Sequence, residues 1–149
     1  MTARIRSVVL RANALYLTVA SVSGLRMDVR GIFFGVGPES YIVAGAPYSG
    51  IGFLEAHGLA LIISVWLWRA EAARAWHFTG AAVGALLGTA NLVFWQIFIA
   101  ANILWVGYLT TSLHWLFALL QLGAAIASSA NAVRQPQIPA MSSDNIKVA

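Results

Sequence analysis

Residues 75–133 read AWHFTGAAVGALLGTANLVFWQIFIAANILWVGYLTTSLHWLFALLQLGAAIASSANAV, and no Asp, Glu, Lys or Arg occurs among them. One membrane span needs about 20 apolar residues, so the stretch is long enough for two, with a turn between them. The spacing predicts helices over about 75–100 and 112–133, with ANILWVGYLTT as the turn and Ser112 as the N-cap of the second. The whole chain has the matching composition: 149 residues, 60% hydrophobic, 9% charged, mean hydropathy +0.77, where soluble domains carry about 25% charged residues.

Upstream, residues 52–68 read GFLEAHGLALIISVWLW and predict a helix over about 50–68. It ends at Trp66, Trp68 and Arg69, the aromatic and basic markers of a membrane interface. The link RAEAAR (69–74) then reverses the chain. A first apolar run at about 7–25 contains Arg11, close enough to the basic start at Arg4 and Arg6 to snorkel to the headgroups. A cleaved signal peptide is the competing reading of that run, although Asn13 and Thr18 interrupt its apolar core. Between Arg26 and Gly50, four charged side chains are mixed with Gly31, Gly35, Gly37, Pro38, Gly45 and Pro47, which predicts a long loop. Its aromatic content suggests that the loop lies on the membrane or covers the helix ends. The tail 134–149, with two prolines and small polar residues, reads as disordered.

The expected fold is therefore an all-α integral membrane protein: one domain over 1–133, a four-transmembrane-helix bundle with a long first extracytoplasmic loop. Arg4, Arg6, Arg11, Arg69, Arg74, Arg134 and Lys147 fall on one side of that topology, and Arg26 and Arg30 on the other. The positive-inside rule then places both termini and the 69–74 link in the cytoplasm, with the long first loop outside. The lipid bilayer is its main partner, and this topology accounts for a net charge of +4. Nucleic-acid binding needs a basic soluble face, which this pattern lacks.

Small residues drive helix association in lipid, and Gly80, Gly84 and Gly88 lie four apart on one face of the third expected helix. They predict helix packing, either inside the bundle against Gly123, Ala124, Ala127 and Ser128 or across a homodimer. Polar residues gather toward the outer half in this topology: Glu55, His57, Gln96, Asn102 and His114. They form the candidate ligand-binding set. A carboxylate facing hydrocarbon costs several kcal/mol or takes up a proton, so Glu55 is expected to face the bundle. His57, about 200° round the helix, is then expected to point away. His77, between Trp76 and Phe78, reads as an interfacial anchor.

The absence of cysteine excludes disulfides, thiolate catalysis, iron–sulfur clusters and cysteine-type zinc sites. Glutamate with one or two histidines is thin coordination for any metal, so no metal site is assigned. No nucleotide loop, catalytic triad or paired-carboxylate motif is present, and no cofactor is specified. These absences favour a non-enzymatic or accessory protein.

The early arginine in VVLRANALYL (8–17), the Glu near the start of GFLEAHGLALII (52–63) and the two apolar helices that follow resemble the DoxX-like group of small four-helix bacterial membrane proteins. The resemblance covers roughly residues 5–133 and implies an inner-membrane protein, sometimes associated with quinone-linked or oxidative-stress systems. The long aromatic first loop and the absence of a cysteine pair depart from it. The leading expectation is an outer-leaflet polar pocket around Glu55 that takes a lipophilic or protonatable ligand. The alternatives are a small dimeric proton-coupled transporter and a quinone- or haem-associated subunit of a redox complex. Transporters of that size carry a mid-membrane carboxylate in the first helix, and on this reading the first helix has none.

Overall fold

The computed structural model describes residues 1–133, with side chains described to residue 128. The tail expected to be disordered therefore lies outside the described residues. These fold into helices α1 (Ala3–Phe34), α2 (Ser40–Gly45), α3 (Ser49–Arg69), α4 (Arg74–Val93), α5 (Trp95–Ala100) and α6 (Leu104–Val133). No strand occurs among the described residues.

The long first loop is overturned, because α1 runs 32 residues and takes in 26–34. At about 1.5 Å per residue that is about 48 Å, more than the about 30 Å of a hydrocarbon core. The charges at 26, 28 and 30 do not break the helix because they sort by face: Arg26 and Arg30 are exposed while Asp28 is buried. The Thr2 hydroxyl accepts from the Ile5 N–H at the N-terminus. At the other end Gly35 takes the left-handed conformation (φ 62°) and its N–H donates to the Arg30 carbonyl, the usual glycine C-cap. Only 35–39 and 46–48 remain as loop around the short α2.

The expected helix over 75–100 is also divided. Phe94 (φ −100°, ψ 29°) leaves helical geometry and separates α4 from α5. The reversal falls at Asn102, whose φ of 55° puts it in the left-handed region, which Asn tolerates better than most residues. Hence α6 begins at Leu104 rather than near Ser112, and His114 sits ten residues inside it.

α1 packs along α3 and α4 along α6, and the two pairs join chiefly through α1 and α6. Leu10, Ala14, Leu17 and Leu67 form the apolar core, with Tyr16, Ile63, Trp76, Val83 and Leu87 packed against it. Far more large apolar side chains face outward, among them Leu15, Val19, Leu59, Ile62, Leu86, Leu119 and Ile126. That arrangement suits a lipid solvent, in which the outer face of a bundle is apolar. Three helices, Ala3–Phe34, Ser49–Arg69 and the Leu104–Ser128 part of α6, are long and apolar enough to cross a membrane. In α4, three glycines, two threonines, His77 and Asn91 dilute the apolar content.

The glycine stripe lies inside the bundle. Gly80, Gly84 and Gly88 are buried, and a Cβ on Gly84 would lie 2.9 Å from the His114 carbonyl oxygen. A Cβ on Gly88 would meet the Trp115 ring at 2.8 Å. The partners on α6 are thus His114, Trp115, Ala118 and Gln121. Of the small residues expected to face it, Gly123 is not used in this way, since a Cβ there would have nothing within 4 Å, while Ala124 is fully buried. Side-chain hydrogen bonds also tie the bundle together: Thr18 to Ser64 across α1–α3, Asn91 to Thr110 across α4–α6, and Arg6 to Ser128 across α1–α6.

Candidate functional site

The buried residues of α1 fall at Leu10, Asn13, Ala14, Leu17, Ser21, Gly24, Asp28 and Gly31, a stripe of three- and four-residue steps that keeps one face toward the other helices. Asp28 is the charged member, and no part of it reaches solvent. Its Oδ2 lies 2.8 Å from His57 Nδ1, the single salt bridge found among the described residues. Gly24 makes the contact geometrically possible, because a Cβ there would overlap the His57 imidazole. A second notch, at Gly31, lets the backbone of Glu39 and Ser40 fold onto α1, with Glu39 Cβ 3.0 Å from where a Gly31 Cβ would sit. Glu39 is thereby brought against Asp28 at only 8% exposure.

The site is therefore a carboxyl pair and an imidazole where α1, α3 and the 35–39 loop meet. Burial first, then the hydrogen bond to Asp28 and the charge of Asp28, push the Glu39 carboxyl from its ordinary 4.5 up to about 8. Two carboxyls this close cannot both hold a negative charge without penalty. The raised value favours the protonated Glu39 carboxyl at neutral pH, and His57, its side chain one third exposed, joins the pair to solvent. The arrangement can take up, hold and release a proton. Among the described residues, no group of three or more His, Cys, Asp or Glu is placed to hold a metal ion.

The five residues singled out from the sequence do not gather in one place. Glu55 is exposed on the outer surface of α3, so the expected inward orientation is reversed. The two residues do lie on opposite faces, but His57 is the inward one. Gln96 is exposed and lines a shallow apolar groove with Tyr41, Ile42 and Ile97. Asn102 is exposed at the turn before α6. His114 is buried, its ring set edge-on to Tyr16 with centroids 5.2 Å apart. His77 is not an interfacial anchor: it is fully buried and bonded through Nδ1 to Gln121 Oε1.

Asp28 and Glu39 lie in the stretch whose glycines and prolines predict a loop, where a carboxylate is ordinarily solvated. The signal was present in the α1 spacing: Asn13, Ser21 and Asp28 recur at intervals of eight and seven, about two turns each.

The Gly24 notch gives a direct test. Gly24→Ala is expected to push the His57 ring off Asp28 and to lower stability by about 1–3 kcal/mol, the usual range for an overpacked contact. In a His57→Ala background the same change should cost little. Thermal unfolding of the four proteins in detergent measures this coupling, and equal costs in both backgrounds would refute it.

No protein-family model, no curated protein and no solved structure matches the chain.

Proposed function

We propose that the chain is a four-span bundle of the bacterial inner membrane, DoxX-like in architecture and non-enzymatic, in which Asp28, Glu39 and His57 form a proton-linked binding site. On this reading α4 is the fourth span, both termini are cytoplasmic, and the site faces the outer leaflet. Its ligand is a small lipophilic or protonatable molecule whose binding is tied to the proton shared by the two carboxyls. One observation carries the reading: a fully buried Asp28 with an imidazole on one oxygen and a second buried carboxyl beside it. Buried titratable groups in a membrane bundle are costly, and they cluster where protons or charged ligands are handled. A proton-coupled transporter is the second reading, favoured by the same residue, since the first helix does carry a buried carboxylate.

The test is thermal unfolding from pH 4 to 9 for wild type beside Glu39→Gln. A carboxyl raised in the folded state binds its proton more tightly there than in the unfolded chain. The stability it contributes is complete below its ordinary value of 4.5 and is lost as pH rises toward about 8. Wild type is therefore expected to lose stability across that window, and Glu39→Gln, which stays neutral, to lose less. Parallel curves would remove the proton-linked site.

A further inference from the structure

Five arginines gather at the end of the bundle where the α3–α4 link lies, and the proton-linked site uses none of them. Arg4, Arg6 and Arg11 belong to the start of α1, Arg69 ends α3 and Arg74 begins α4. The Arg11 guanidinium lies over the Trp68 ring at 5.3 Å and that of Arg74 over the Phe78 ring at 5.1 Å. Arg6 donates to Ser128 on the last part of α6, so the ends of these helices share one rim. Glu71, in the link, is the one carboxylate there among the described residues, and it pairs with none of the arginines. Arg69 is exposed and has no hydrogen-bond, ion-pair or ring partner among the described residues.

Beside Arg69 the bundle is notched. α3 lies chiefly along α1 and α4 along α6, and near the link a cleft of about 430 Å³ is lined by Trp66, Arg69, Ala70 and Trp76. That volume falls in the range of about 300–1,000 Å³ usual for small-molecule clefts. Trp76 is fixed by packing on the Leu10–Leu67 core, whereas Trp66 is 54% exposed. The lining is thus two indoles, one methyl group and a single cation. Free phosphate would pair with Arg69 and leave both indoles uncovered. A hydrocarbon chain alone would cover the indoles and leave the guanidinium unpaired. A zwitterionic lipid would bring an ammonium against a rim of five arginines and one carboxylate. An amphiphile with an anionic head and no cation matches both parts, because a guanidinium binds phosphate oxygens in a fork and tryptophan favours the depth of the lipid headgroups. We propose that the Trp66–Trp76 cleft binds one anionic phospholipid, its phosphodiester on Arg69 and its acyl chains against the two indoles. Basic pockets between membrane helices suit such headgroups. The cleft and the Asp28–Glu39–His57 site lie toward opposite ends of α1 and α3, so this inference stands if the proton-linked reading fails.

The test is native mass spectrometry of the full chain in detergent, titrated with phosphatidylglycerol or with phosphatidylcholine of the same acyl chains, and then with inorganic phosphate as a competitor. The expected result is a first phosphatidylglycerol bound more tightly than the first phosphatidylcholine and not displaced by phosphate. Arg69→Gln is expected to lose about fivefold in affinity for that first phosphatidylglycerol, the contribution of one basic side chain near anionic lipid, and Arg69→Lys to lose less. Arg4→Gln, on the same rim but outside the cleft, should leave the affinity unchanged. Trp66→Ala should weaken both lipids alike, since the indole wall does not read charge. Equal wild-type affinities for the two lipids overturn the site. Equal losses from Arg69→Gln and Arg4→Gln also overturn it, because the attraction would then belong to the rim as a whole. Displacement by inorganic phosphate overturns the lipid as occupant. The comparison of the two lipids on wild type stands even if a variant fails to fold.

Discussion

Gly84→Leu is expected to yield no stable folded protein, while Gly123→Leu, on α6, is expected to behave like wild type. A Cβ at Gly84 would already stand 2.9 Å from the His114 carbonyl oxygen and 3.2 Å from both the amide nitrogen and Cβ of Ala118. Two of those atoms are α6 backbone and cannot rotate aside, so α4 and α6 must separate. Leucine then adds three more carbons to the same gap. Inserting a methylene or two into a packed core costs about 1–3 kcal/mol, and leucine here exceeds that against a total stability of about 5–15 kcal/mol. The loss is not repaired by hydrophobic drive, because in lipid the helices are held by close packing and interhelical hydrogen bonds. Moving α4 from α6 also breaks the Asn91–Thr110 and His77–Gln121 bonds. At Gly123 a Cβ would meet nothing within 4 Å, and replacing a helical glycine removes a penalty of about 1 kcal/mol. Size-exclusion profiles and unfolding midpoints in detergent separate the two variants. A monodisperse Gly84→Leu protein that melts with wild type would mean that α4 does not meet α6 along this face. A glycine stripe serving a dimer would give another result, a folded monomer that no longer associates.

How much of this was legible in the sequence depended on whether local pattern or tertiary contact made the decision. The charge-free stretch 75–133 announced apolar helices, and the glycine spacing marked a close-packed face, because both are properties of a single segment. The continuation of α1 to Phe34 was hidden by counting charges and glycines from 26 onward without sorting them by face. In that count only Gly31 is a poor helix former before Gly35, and its cost is offset by the close approach of Glu39. The break at Phe94 and the early start of α6 were not legible, since the residues 94–104 are as apolar as the helices on either side. For Glu55 and His57, helical geometry fixed that the two point apart but not which one points inward. That choice was made by another helix: Gly24 opens space for an imidazole and Asp28 supplies its partner. The His77–Gln121 bond was invisible for the same reason, because the two are 44 residues apart and each alone resembles an ordinary interfacial or core polar residue.

His57→Ala is expected to be strongly destabilising, and Glu55→Gln, two residues earlier, nearly neutral. Removing the imidazole takes away the partner on Asp28 Oδ2, and Asp28 is fully buried. Losing one partner of a buried ion pair typically costs about 3–5 kcal/mol, because the remaining charge keeps its desolvation penalty without the attraction that offset it. Here the His57 side chain is 33% exposed, so water takes over part of its role and the expected cost falls to about 2–3 kcal/mol. Glu55 is exposed and has no hydrogen-bond or ion-pair partner among the described residues, so its neutralisation should stay within about 0.5 kcal/mol. The mechanism makes a further demand. If the cost comes from an uncompensated charge, then neutralising that charge must return stability, and Asp28→Asn/His57→Ala should unfold at a higher temperature than His57→Ala alone. Lost packing cannot produce that reversal, because the double variant restores none of the imidazole's volume. Denaturation of wild type, both single variants and the double variant at one pH closes the cycle. Costs that simply add would show that the 2.8 Å contact carries no coupling, and the proton-linked site would lose its central pair.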